Sequence, residues 1–213
     1  MLPEILFEDN HLFVVNKPAG VLTQPSGTDQ PSLEGICKQW IKEKHQKPGN
    51  VFLEAIHRLD KPVSGIVLFA KTSKALSRLQ ESMRNRKSKK IYIALVEGHL
   101  KESKGTLEHY LLHDDYRARI ASQNEPEAKL ARLHYSVLEH KEDDTRIEIE
   151  LETGRYHQIR AQFSAIGHPI VGDKKYGSKV TFKNDSIALH HARLVIPHPI
   201  TGALQTFESP PLF

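Results

Sequence analysis

Apolar residues along the chain recur at two periods, and the change between them marks the elements. Ile66-Val67-Leu68-Phe69-Ala70 is an unbroken apolar run, as expected of a strand buried on both faces. In Lys90-Ile91-Tyr92-Ile93-Ala94-Leu95-Val96-Glu97-Gly98, Ile91, Ile93 and Leu95 alternate with Tyr92, Ala94 and Val96, the period of a strand, with Tyr92 opposite the larger aliphatics. Ile5 to Phe7 and Leu12 to Val15 flank a polar turn and read as two short strands. Further strands are expected over 51–56, 187–196 and 203–208, and residues 105–150, with alternating runs at 131–138 and 146–151, read as an antiparallel meander. Helical spacing appears three times. Ser32 is expected to cap a helix carrying Leu33, Ile36, Trp40 and Ile41, and Ser73 one carrying Ala75, Leu76, Leu79 and Met83; a third is expected over 157–166, where Ile159, Phe163 and Ile166 share a stripe that Gly167 and Pro169 end. The pattern predicts an α+β fold, a largely antiparallel mixed sheet with flanking helices. No linker interrupts it, so residues 1–213 are expected to form a single domain.

Composition narrows the function classes. No apolar run approaches the ~20 residues that a membrane helix needs, and the first residues lack a basic, then apolar, leader pattern. The single Cys37 has no internal partner for a disulfide, and no zinc-type Cys/His spacing exists. A cytoplasmic protein without a membrane association is expected. A net charge of +4 and a pI near 9.0 favour an anionic partner.

The chemistry concentrates in a few stretches. In His57-Arg58-Leu59-Asp60-Lys61-Pro62-Val63-Ser64-Gly65, a carboxylate stands between two cations in a turn just before the buried run. A connecting turn with solvated charges is the plain alternative. The second helix runs into Arg84-Asn85-Arg86-Lys87-Ser88-Lys89-Lys90. Its dipole accounts for two or three of those cations, and the excess reads as a phosphate-contacting surface or as a solvated charged face. Tyr92, with the small Ala94 two residues on, leaves room for a flat ring to stack; it is equally a good strand residue. Arg160 falls near the front of the third helix, where a cation is poorly suited to the dipole, so a carboxylate partner is expected. His109 and His113 lie in a strand about 13 Å apart, which excludes a shared metal. No other ligand set stands out among the 13 histidines, and no metal is assigned.

Together these stretches resemble the RluA-type pseudouridine synthases. The likeness takes in the Asp60 turn, Tyr92, Gly154-Arg155-Tyr156-His157-Gln158-Ile159-Arg160, Gly167-His168-Pro169-Ile170-Val171-Gly172-Asp173, Leu189-His190-His191-Ala192 and Asn16-Lys17-Pro18-Ala19-Gly20, in order over nearly the whole chain. The resemblance implies the pseudouridine synthase catalytic fold and an isomerase that converts specific uridines of rRNA or tRNA to pseudouridine without a cofactor or metal. It makes Asp60 the nucleophile, at C1′ or C6 of the nucleotide or by assisting a glycal route, and pairs it with Arg160. Tyr92 is then expected to stack on the base, Ile159 and Leu189 to lie beside it, and Arg58 to touch the RNA near the flipped nucleotide. Arg84, Arg86, Lys87, Lys89 and Lys90 become phosphate contacts. Two positions depart from the usual pattern, Val63 and Tyr156 standing where the family has threonine. Members often carry an S4-type RNA-binding domain, and a bare catalytic domain is expected here, with no obligate protein partner.

Two other readings of the same residues stay open. A base-releasing glycosylase would need a second group to activate water, for which Asp173 and His168 are the candidates. A non-catalytic RNA-binding protein would need Asp60 for no chemistry.

Overall fold

The computed structural model describes residues 2–27, 29–183 and 186–213. The fold is α+β, and its contacts form two compact units, Met1–Lys89 with His191–Leu212, and Lys90–His190 with Phe213.

In the first unit the buried apolar run becomes β4 (Ser64–Ala70) and sits at the centre, as its lack of alternation predicts. Strand β2 (Leu12–Lys17) pairs antiparallel with it from Leu12↔Ala70 to Lys17↔Gly65, and β1 (Glu4–Glu8) pairs with β2. The 191–197 part of β10 (Leu189–Pro197) lies on the other side of β4, carrying β11 (Leu204–Glu208) antiparallel beside it. Each sheet face has its own helix. Helix α1 (Leu33–Lys44) is capped by Ser32, whose Oγ accepts from Gly35 N at 3.2 Å, and its Trp40 packs on Phe13 with ring centroids 5.5 Å apart. Helix α2 (Ser73–Arg84) buries Ala75 and Leu79 against Leu12, Val14, Ile66 and Leu68 of the opposite face.

Two details differ from expectation. The cap of α2 is Thr72, one residue before Ser73, since Thr72 has the extended backbone a cap requires and its Oγ1 accepts from Ala75 N at 3.2 Å. The strand expected over 51–56 shrinks to β3 (Glu54–Ala55), paired with Ala70 and Phe69. One further bond runs from Ile56 N to Leu68 O, and then Leu68 N donates to His57 Nε2 at 3.3 Å, so a side chain takes the place of the ladder.

The second unit is the meander. Strand β5 (Lys89–Glu97) pairs with β9 (Asp144–Leu151), β9 with β8 (Lys129–His140), β8 with β6 (Lys104–Asp114), and β6 with the edge strand β7 (Arg117–Ala121), all antiparallel. Helix α3 (Gln158–Ala165) and a 3-10 turn, Lys174–Tyr176, complete it. Ala161 and Tyr176 close a small core over Leu111, Ala118 and Ala131.

Gly65 fixes how closely the first unit packs around β4. It adopts φ 115°, and a Cβ there would fall 2.5 Å from both the N and O of His191. Gly65→Ala should therefore lower stability by roughly 3–5 kcal/mol through combined backbone strain and overlap. Chemical denaturation checks this, and a loss under 1 kcal/mol would mean the two strands do not approach so closely.

Candidate active site

The Asp60 turn is short and closed, with Val63 N donating to Asp60 O at 3.0 Å. What holds it in place comes from residues 17–23. Thr23 is buried and grips Leu59 twice, Oγ1 donating to Leu59 O at 2.8 Å and accepting from Leu59 N at 3.1 Å. On the other side of Asp60, Lys61 O accepts from Gly20 N at 2.7 Å and from Lys17 Nζ at 3.3 Å. Both chain neighbours of Asp60 are anchored, so the half-buried carboxylate projects from a backbone with little freedom. Arg58 lies exposed in the same turn, and Lys61 Nζ donates to Gln30 Oε1 at 2.9 Å.

Lys17 is the residue that sequence reading left without a role. It ends β2 fully buried, and its amine donates to Pro18 O at 2.9 Å and Val21 O at 2.8 Å besides Lys61 O. Those three carbonyls use all three ammonium donors. Burial pushes its pKa down to about 7, and the negative charge of Asp60 opposes that fall. The sequence carries little signal for this, since Lys17 follows Asn16 at the end of an apolar run and precedes Pro18, where a solvated lysine would read the same.

The remaining candidates belong to the second unit. Tyr92 sits in mid β5 opposite Ile149 and is buried, as are Ile159 of α3 and Leu189 at the start of β10. The helix bearing Ile159 and Arg160 is set by the loop before it. Gln158 Oε1 accepts from Arg155 N at 3.0 Å and Thr153 Oγ1 at 2.8 Å, while its Nε2 donates to Arg132 O at 3.1 Å, fastening the loop to β8. His157, expected as the first helical residue, instead takes a left-handed conformation, φ 50°, so the helix starts one residue later. Its Nδ1 lies 2.8 Å from the Tyr176 hydroxyl, and Tyr156 stacks on its ring at 3.8 Å.

Arg160 has a carboxylate within its own unit, and it is Asp173. Arg160 Nε donates to Asp173 Oδ2 at 2.6 Å and a terminal nitrogen donates to Oδ1 at 2.9 Å, with both side chains almost wholly buried. The Arg160 guanidinium also lies over the Tyr176 ring, 5.0 Å from its centroid. The planar fork matches the carboxylate and gives the guanidinium one orientation. The expected partner, Asp60, belongs to the other compact unit. Spacing alone does not reveal the Asp173 pair, because thirteen residues and a turn separate the two.

Of the basic run, Arg84, Arg86, Lys87 and Lys89 are exposed. Lys90 is drawn inward. Burial lowers its pKa, and a Cβ at Gly154 would come 3.4 Å from its Nζ.

Lys17 makes folding depend on pH. The unfolded chain holds this proton up to about 10.5, whereas the folded protein releases it near 7. Between those values the unfolded state binds more protons, so stability rises with pH by up to about 1.4 kcal/mol per unit; below about pH 7 both states are protonated and the slope vanishes. Lys17→Met should lose this component. Urea unfolding from pH 7.5 to 9.5 checks it, and parallel curves for the two proteins would refute it.

Comparison with known proteins gives the family. Residues 11–165 match the family model described as RNA pseudouridylate synthase. The chain is 36% identical over 213 residues to the uncharacterized RNA pseudouridine synthase YhcT of Bacillus subtilis, covering 97% of this chain and 68% of that protein. It is 36% identical over 215 residues to the dual-specificity RNA pseudouridine synthase RluA of Haemophilus influenzae, covering 97% and 92%. The fold matches that of human RNA Pseudouridylate Synthase Domain Containing 4 with a TM-score of 0.81 at 22% identity, over 97% of this chain and 88% of that one. The turn that fastens Asp60, the strand of Tyr92 and the helix of Arg160 all fall within the residues matched, and the chain belongs to the RNA pseudouridylate synthase family.

Proposed function

We propose that this RNA pseudouridine synthase isomerises uridines of rRNA or tRNA with Asp60 as its nucleophile. The reaction breaks the C1′–N1 bond, turns the uracil and joins C5 to C1′, so no atom is gained or lost and one positioned carboxylate suffices. The observation that carries the reading is the anchoring of Leu59 and Lys61 on either side of Asp60, with the buried Lys17 amine close enough to feel its charge. A solvated turn needs no such fastening. The same reading assigns Tyr92 to stacking on the extruded base, Ile159 and Leu189 to its apolar surroundings, Arg160 to keeping the nucleophile ionised, and Arg58 to the RNA beside the flipped nucleotide. A cytoplasmic setting belongs to the proposal too, supported by the buried free thiol of Cys37.

Base release is the less favoured reading, because its candidate water activators are occupied. Both oxygens of Asp173 accept from Arg160, and His168 Nδ1 lies 2.8 Å from Glu97 O. Asp60→Asn keeps shape and removes the anion. Purified variant should bind RNA as the wild type does and form no pseudouridine, a loss of at least about 10³-fold for a removed nucleophile. Pseudouridine at wild-type yield would sink the assignment, and free uracil in its place would favour the glycosylase.

The exposed cations after α2 are assigned to phosphates. Replacing Arg84 and Lys87 with alanine should flatten the dependence of log K on log salt by about 1.4–1.8. An unchanged slope in RNA titrations from about 50 to about 500 mM salt, about one decade of ionic strength, would return the run to a solvated face. The half-buried Lys90 is expected to contribute least.

A further inference from the structure

The turn joining β6 to β7 holds an aromatic ring in solvent, and the residues behind it keep it there. The two strands pair from Tyr110↔Ala121 through Asp114↔Arg117, so Asp115 and Tyr116 make the whole connection. A two-residue hairpin turn of this kind needs positive φ, and Asp115 supplies it at 45°. Tyr116 follows with 81% of its surface exposed. Its carbonyl accepts from Lys175 Nζ at 3.0 Å and from the Tyr156 hydroxyl at 3.4 Å. Tyr156 is itself packed, its ring stacked on His157 at 3.8 Å and met edge-on by His113 at 4.5 Å. The circuit closes through Tyr176, whose hydroxyl accepts from Ala118 N of β7 at 2.7 Å and lies 2.8 Å from His157 Nδ1. A hairpin tip is ordinarily the loosest part of a sheet edge. This one is tied to the same loop that sets α3.

Charge complements the ring. Arg117 is next to Tyr116 in the chain, Lys175 touches its carbonyl, and Lys174 adjoins Lys175; all three are exposed, as is Asp115, while Asp114 before it is half-buried. Arg119, further along β7, is engaged by Glu125. A solvent-facing aromatic held on a rigid support and ringed by cations fits an unpaired nucleotide, whose base stacks on the ring and whose phosphates meet the cations. A paired base has its faces already covered.

We propose that Tyr116 is a second RNA contact, a platform on which an unpaired base of the substrate stacks while Arg117 and Lys175 meet its phosphates. The proposal deepens the reading of the chain as an enzyme acting on RNA, and rests on it. Stacking contacts of this type are sequence-tolerant, so the platform would add affinity for unpaired regions without choosing the uridine.

The probe is a random-sequence single-stranded RNA of about 20 nucleotides, long enough to span one such binding site, with a duplex of matched length as control. Tyr116→Ala should weaken single-strand binding about 5- to 100-fold, the loss of one base–aromatic stack, and change duplex binding far less. Tyr116→Trp should restore single-strand binding. Equal dissociation constants for wild type and Tyr116→Ala on the single strand would overturn the platform, as would an equal loss on both RNAs. Pseudouridine formation by the wild type on cellular RNA is measured alongside. If it occurs while Tyr116→Ala binds unchanged, the platform fails and the catalytic reading stands; if binding depends on Tyr116 but no pseudouridine forms, the reverse holds.

Discussion

A buried ammonium group under the Asp60 turn is the constraint from which the site follows. Removing a lysine from water costs several kcal/mol unless each donor finds a partner, and Lys17 meets that demand with the carbonyls of Pro18, Val21 and Lys61. Those carbonyls converge only if the chain after β2 folds back beneath the turn. Once it does, Gly20 N reaches Lys61 O and Thr23 grips both backbone groups of Leu59. The Asp60 carboxylate is thus placed by the hydration cost of another residue. The amine also feels the Asp60 charge, so one group supplies both a mechanical anchor and a favourable field.

The second unit solves the corresponding problem for a cation. Arg160 is the third residue of α3, where the positive end of the helix dipole disfavours it. A carboxylate was the expected remedy, and within that unit Asp173 provides it, in a buried fork that fixes the guanidinium plane. Burying both charges together is costly, and such pairs are weak evidence of stability. Their value here is orientation, since a guanidinium locked through two of its edges offers its remaining donors in a fixed direction.

Much of the fold was legible because burial imposes periods. The unbroken run of β4 and the alternation in β8 and β9 each matched the face or faces that packing covers, whereas β5 is buried on both faces from Ile91 to Val96. The shortfall at 51–56 came where a histidine ring replaced a ladder bond, and the late start of α3 came from a left-handed His157, neither of which periodicity records. Asp60, Tyr92 and Arg160 were singled out because family motifs mark them. The anchoring role of Lys17 and the pairing of Asp173 with Arg160 escaped the sequence reading for a shared reason. Each acts through a contact set by tertiary burial, and a buried ion looks like a surface ion until its surroundings are known.

Tyr156 shows how a departure from a family pattern can be absorbed by its surroundings. A left-handed backbone at a non-glycine residue costs about 1–3 kcal/mol, and His157 must adopt it for the chain to turn into α3 two residues after Arg155. A threonine beside it has no ring to offer. Tyrosine covers the imidazole face, and its hydroxyl extends far enough to reach the carbonyl of Tyr116. The same side chain that supports the strained residue therefore fastens the β6–β7 turn, and Tyr176 fastens β7 from the other side of the imidazole. Helix α3 and the hairpin thereby share one aromatic support, so the orientation of Arg160 and the placement of the exposed Tyr116 ring are mechanically coupled within that unit. A substitution that loosened the stack would disturb both ends of it.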